Sequence, residues 1–212
     1  CWPAMGQRPR NGSFRATRST WGCGKGRCPR SRPCCPIFSQ EKRIASLLNA
    51  DTSLIAYHLP LDAHPIYGKN VQLAERLGIS VDGVVQQGTE PSLVMYGRLA
   101  EPMSGKAFAQ HMAQVLKREP LHVDNMAQEV NTVAWCTGAA QGYINQALEL
   151  GVVAYITGEA SVSTVHIARE SGIHFYGAGH HATERYGVNA LGEHLAANFD
   201  LEQQFIDIDN PV

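Results

Sequence analysis

From Val130 onward the chain alternates short apolar runs with helices of about ten residues, and this rhythm limits the fold more than any other feature. Asn131–Thr137 reads as a strand, Gly138–Gly142 as a turn and Tyr143–Leu150 as a helix ended by Gly151. Val152–Thr157 is a strand, Ser163–Ser171 a helix ended by Gly172, and Ile173–Tyr176 a strand. A helix then runs from about Ala182 into Asn198, and Phe205–Ile208 is a last strand. Strands alternating with helices predict an α/β fold of layered sheets with flanking helices and at least partly parallel pairing.

Upstream the pattern is less regular. Lys42–Asn49 reads as a helix with Ile44, Leu47 and Leu48 on one face, and Ser53–Leu59 alternates toward a strand stopped by Pro60. Asn70–Leu77 is a helix closed by Gly78, and residues 79–99 read as strands with turns. Ser104–Leu116 is a helix capped by Ser104, with Phe108, Met112, Val115 and Leu116 on one side.

The charge is split along the chain. Residues 1–40 hold eight basic residues, no acid and five of the six cysteines. Residues 41–212 hold ten basic and 19 acidic residues, a net charge of −9, and all nine histidines. We therefore divide the chain into a leader, 1–40, and an α/β metal-binding domain, 41–212. An acidic body disfavours nucleic acid as partner, because binding it depends on neutralising phosphates. No run of 18 apolar residues occurs, which excludes a helical membrane span by sequence. Cys23-x4-Cys28-x5-Cys34-Cys35 lacks the paired C-x2-C units of a zinc ribbon. The leader's Arg, Pro, Gly and Ser suit either a disordered tail or translation in a wrong frame. One cysteine in the body, Cys136 in an apolar strand, reads as inert core of a reduced, cytoplasmic protein.

In open α/β sheets ligands gather at the carboxyl ends of strands, and four such ends carry unusual chemistry. His180 and Glu184 are four residues apart and share one helical face, within reach of one ion. An imidazole with a carboxylate suits zinc, iron, manganese or nickel without separating them. A solvated His-Glu pair on a capped helix explains the same spacing. Asp62 follows a Pro-enforced bend, where a buried carboxylate wants a metal, an arginine or a set of amides, unless it caps an Asx turn. His58 and His64 would be ligands or residues that orient Asp62, and a lone strand histidine such as His58 also fits a core position. Glu159 would orient a ligand, act as general base, or be an ordinary turn carboxylate. Gly138-x3-Gly142 is a weak phosphate cradle, without the Gly-Lys-Ser/Thr of a P-loop. His166, His174 and His194 read as surface or core residues without a sequence partner.

Five segments carry a resemblance: Tyr57–Asn70 (YHLPLDAHPIYGKN), Ala134–Gly138 (AWCTG), Tyr155–Glu159 (YITGE), Phe175–Arg185 (FYGAGHHATER) and Phe205–Pro211 (FIDIDNP). They are similar to the GTP cyclohydrolase 1 type 2 homologues, the NIF-three-like dinuclear metal proteins, in their short bacterial form. The resemblance implies an α/β fold of two related halves, a ring-shaped homohexamer, and two divalent metal ions per subunit facing the ring's interior. It implies Asp62, His180 and Glu184 as metal ligands, with the glutamate bridging the ions, and His181 beside them as a candidate orienting residue. The family's adjacent N-terminal histidine pair has no counterpart here, since no histidine precedes His58. The N-terminal half is thus expected to be incomplete. The codons required by Trp21–Gly26 can spell Gly-Met-Trp-Lys-Gly in a shifted frame, close to the family's missing Trp-Lys-Gly segment. A shifted frame with a stop, or without the tryptophan codon, would exclude that explanation.

Residues and resemblance together predict a metal-dependent hydrolase, impaired in this chain, acting on a nucleotide or phosphate ester and binding metal weakly or at a single site. A non-enzymatic, ring-forming metal-binding or regulatory scaffold is the second reading, and a zinc or nucleic-acid module built on the leader the third.

Overall fold

The computed structural model describes residues 36–87, 90–125 and 128–212; the leader's cysteines and the frame-shift segment lie outside them. The chain divides into two units, residues 1–55 and 56–212. The described part of the first contains helix α1 (Pro36–Asn49), which starts earlier than its apolar spacing predicts.

The second unit runs α2 (Leu59–Asp62), α3 (Lys69–Leu77), β1 (Ile79–Gln87), β2 (Glu90–Ser104), α4 (Gly105–Leu116), β3 (Leu121–Val123) and β4 (Glu129–Cys136). It continues with α5 (Ile144–Leu150), β5 (Ala154–Thr157), α6 (Val162–Ser171), β6 (His174–Gly177) and α7 (His180–Phe199). The strands form one six-stranded sheet in the order β1-β2-β4-β5-β6-β3. β4, β5 and β6 pair in parallel, and the remaining neighbours are antiparallel. The fold is mixed α/β, as the alternation predicts.

Side chains of the three parallel strands alternate between two cores. Trp135, Ile156 and Tyr176 point to one face, where they meet Leu73 and Leu77 of α3 and Phe108, Met112 and Leu116 of α4. Ala134, Cys136, Tyr155 and Phe175 point to the other, against Ile144 and Ala147 of α5 and Ala168 of α6. Burial on both faces is why these strands read as continuous apolar runs. Helices α3, α5 and α6 each end on a glycine in the left-handed region, Gly78, Gly151 and Gly172, where a side chain would be strained. Ser104 caps α4 as expected, its Oγ accepting from the Ala107 N–H at 3.2 Å.

Two strand expectations fail. Ser53–Leu59 pairs with no described strand, and Leu54, Ile55 and Tyr57 are more than half exposed. Pro60 instead sits in the first turn of α2, where its missing N–H costs nothing. Phe205–Ile208 is an irregular tail with Ile206 and Ile208 exposed. Period-two alternation is necessary for a strand but only pairing makes one. No helix among the described residues is long and apolar enough to cross a membrane.

Candidate metal centre

The carboxyl ends of β4, β5 and β6 converge on one cleft, as the parallel topology requires. After β4 the chain turns at Gly138, with φ +72°; after β6 it turns at Gly179, with φ +97°, into α7. His180 and Glu184 stand on the first turns of α7, with His180 Nε2 3.4 Å from Glu184 Oε1. On its other side His180 Nδ1 donates to Glu159 Oε1 at 2.7 Å, in the loop after β5. That bond fixes the ring and, in the neutral tautomer, turns the Nε2 lone pair toward Glu184. Two acceptors then face each other, and a positive charge belongs between them.

Gly138 keeps that place open. A Cβ there would lie 2.4 Å from Glu184 Oε1 and 3.1 Å from His180 Nε2. The loop itself is held by Thr183, whose Oγ1 accepts from the Gly138 N–H, and by Thr157, whose Oγ1 donates to the Gly138 carbonyl.

Asp62 arrives from the end of α2 and is buried. Lys69, also buried, lies between the two acidic groups. Its Nζ is 2.8 Å from Asp62 Oδ1 and 3.0 Å from Glu184 Oε2. Asp62 Oδ1 is buried against the Lys69 ammonium and has no further hydrogen-bond partner among the described residues. Burial alone would lower the Lys69 pKa, but the hydrogen bonds and charges of the two carboxylates outweigh it and raise it. Lys69 reaches this position by passing over Gly187 of α7, where a Cβ would be 2.7 Å from its Cγ.

Asn70 ties the pieces together. Its Nδ2 donates to the carbonyls of Asp62 (3.3 Å) and Leu93 (2.9 Å), and its Oδ1 accepts from the Thr137 N–H at 2.8 Å. The Trp135 indole donates to its backbone carbonyl. The sequence alone assigns no role to Lys69 or Asn70. The only signal is their place directly after Gly68 at a helix start, which says nothing about burial.

The histidines of the same segments face elsewhere. His58 is exposed ahead of α2, so a core position for it is excluded. His64 Nδ1 accepts from the N–H groups of Ile66 and Tyr67, and its ring stacks on Tyr67. His181 pairs with Asp207 at 2.9 Å, and Arg185 grips the same carboxylate at 2.8 Å. The His181 hydrogen bond and the Arg185 charge hold Asp207 below the usual carboxylate range. His181, Arg185 and Phe205 line a cleft of about 550 Å³ in front of Lys69, His180 and Glu184. Cys136 is buried behind the site, and burial pushes its thiol up to about 12. It is inert core, as its apolar strand suggests.

His180 Nε2 and Glu184 Oε1, 3.4 Å apart over the space that Gly138 leaves, fit a divalent cation. Asp62 Oδ1 is already in contact with the Lys69 ammonium, which also reaches Glu184. On the Asp62 side the lysine ammonium already supplies one positive charge.

A second group was not foreseen. His174, read as surface or core without a partner, is fully buried in β6 and lies beside His122 of β3 and Asp124. These three form a group that could hold a metal ion, with their ligand atoms within 4.8 Å of one another. Its signal was hidden because β3 was not recognised. His194 stacks on Tyr67, and His166 is exposed.

Comparison with known proteins places the chain. It is 55% identical to the GTP cyclohydrolase 1 type 2 homolog of Pseudomonas aeruginosa over 177 residues, covering 84% of this chain and 70% of the relative. It is 50% identical to the protein of the same name from Escherichia coli K12 over 173 residues, covering 81% and 68%. Among solved structures, protein ybgI, of unknown function, matches with a TM-score of 0.77 at 49% identity, covering 82% of this chain and 68% of that one. TTHA1606 from Thermus thermophilus matches with a TM-score of 0.68 at 30% identity, covering 81% and 67%. The family model Duf34/NIF3 (NGG1p interacting factor 3) matches residues 37–211, so the chain belongs to the DUF34/NIF3 family.

Proposed function

We propose that this chain binds one divalent metal ion through Asp62, His180 and Glu184, and that the loaded site hydrolyses a phosphate ester or nucleotide. The observation that carries the reading is the pair of facing acceptors, His180 Nε2 and Glu184 Oε1, held open by Gly138. A bound divalent ion would supply a water of lowered pKa and stabilise developing negative charge. The chain's own residues do the positioning. Glu159 orients the His180 ring, and Asn70 anchors the backbone of Asp62 to the end of β4. Lys69 neutralises Asp62 and Glu184, which is the reason to expect one ion here rather than two. His181 and Arg185, both held by Asp207, stand at the cleft mouth.

The test is turnover of p-nitrophenyl phosphate, its bis ester and GTP, with and without Mn²⁺ or Zn²⁺, in the full chain and in His180→Ala. Metal-dependent turnover abolished in the variant supports the reading. Metal bound at this site without turnover of any of the three favours the ring-forming scaffold instead.

A further inference from the structure

The group at the far edge of the sheet supports a separate metal site. Strand β3 pairs antiparallel with β6, placing His122 opposite Tyr176, and the chain then turns so that Asp124 comes beside His174. The three ligand atoms form a nearly regular triangle. His122 Nε2 is 3.3 Å from His174 Nδ1, His174 Nδ1 is 3.4 Å from Asp124 Oδ1, and His122 Nε2 is 3.7 Å from that same oxygen. Metal bonds of about 2.0–2.1 Å at tetrahedral angles put neighbouring donors roughly 3.3–3.4 Å apart. One ion can therefore touch all three atoms with little movement.

The protonation pattern agrees. His174 Nε2 donates to the Gln128 carbonyl at 3.0 Å, which leaves the Nδ1 lone pair facing the group. A ligating histidine anchored by its other ring nitrogen to a backbone carbonyl is the usual arrangement at metal sites. The Asn125 N–H now donates to that Nδ1 at 3.2 Å and is the bond an ion would displace.

Access and space are both present. Asp124 and Gln128 line an open pocket of about 350 Å³ with Lys106 and Glu129 at its sides, so a water can complete the coordination. Gly105, at the start of α4, makes the room. A Cβ there would lie 2.4 Å from His174 Cε1 and 2.9 Å from Asp124 Oδ1.

We infer that His122, Asp124 and His174 bind a zinc-class divalent ion, distinct from the Asp62–His180–Glu184 centre, that ties edge strand β3 to β6. Two imidazoles and one carboxylate suit zinc or cobalt over calcium or magnesium. The site is tested by titrating the full chain with Co²⁺, followed by absorption and calorimetry, in wild type, Asp124→Asn, His122→Gln and Asp62→Asn/Glu184→Gln. Asp124 is partly exposed, so its variant keeps the fold where replacing the buried His174 risks losing it; circular dichroism checks this. The expected result is a tetrahedral cobalt spectrum without thiolate charge transfer, which excludes the leader cysteines. Its affinity should fall at least tenfold in Asp124→Asn and His122→Gln and stay unchanged in Asp62→Asn/Glu184→Gln. Unchanged affinity in folded Asp124→Asn and His122→Gln, or loss of the spectrum in the double variant, would overturn the proposal.

Discussion

Lys69 does the most to set this chain's chemistry. With its ammonium removed, the buried Asp62 and the half-buried Glu184 lose their shared counter-charge. Lys69→Met should cost the metal-free protein about 3 kcal/mol, and roughly 9 °C in Tm, on thermal melting. The same change should tighten divalent-ion binding about tenfold, because a competing positive charge is gone. The pH dependence has a definite sign. A raised lysine pKa gives stability that is complete below the unfolded-state value, about 10.4, and is lost as pH rises through the folded value. The stability gap between wild type and Lys69→Met should be flat up to about pH 10 and shrink above it. Gly138→Ala should lower metal affinity and cost at least about 1 kcal/mol, since it combines a φ of +72° with a Cβ 2.4 Å from Glu184 Oε1. At this scale the proposed ligands Asp62, His180 and Glu184 were candidates from their motifs alone. The sequence could not show Lys69, because whether that side chain is buried depends on Gly187, far along the chain on α7.

The elements legible in advance were those whose signal is local. The α3 and α4 helices carry their own caps and apolar faces, and the parallel strands are apolar on both sides. Ser104→Ala should cost about 1 kcal/mol in denaturant unfolding, as the loss of a single N-cap. The failures were elements that depend on a partner. Leu121–Val123 is three residues long and becomes a strand only through β6, so the His122–His174 group stayed hidden with it. Ser53–Leu59 and Phe205–Ile208 alternate without pairing to any described strand. Asn70 joins α3 to the end of β4 across the core. Asn70→Ala should leave two or three buried groups unsatisfied and cost about 3 kcal/mol, read as a shifted midpoint with an unchanged m-value.

At the scale of the whole molecule, the charge split sorts into a chemistry-bearing acidic body and a leader of which residues 1–35 lie outside the described residues. The body holds the sheet, both histidine–carboxylate groups and the family match. Val188 and Phe199 of α7 are more than half exposed and Leu195 more than a third, apolar area that suits contact between copies of the chain. We propose a hexameric ring on the strength of the resemblance, and expect sedimentation to give six chains per particle; a monomer would rule it out. We propose that Asp62, His180 and Glu184 hold one metal ion beside the Lys69 ammonium. Metal content per chain after dialysis against Zn²⁺, measured by plasma mass spectrometry in wild type and His180→Ala, tests it most directly. The variant should lose one ion per chain; a variant that keeps its full complement, or loses two, would rule this site out.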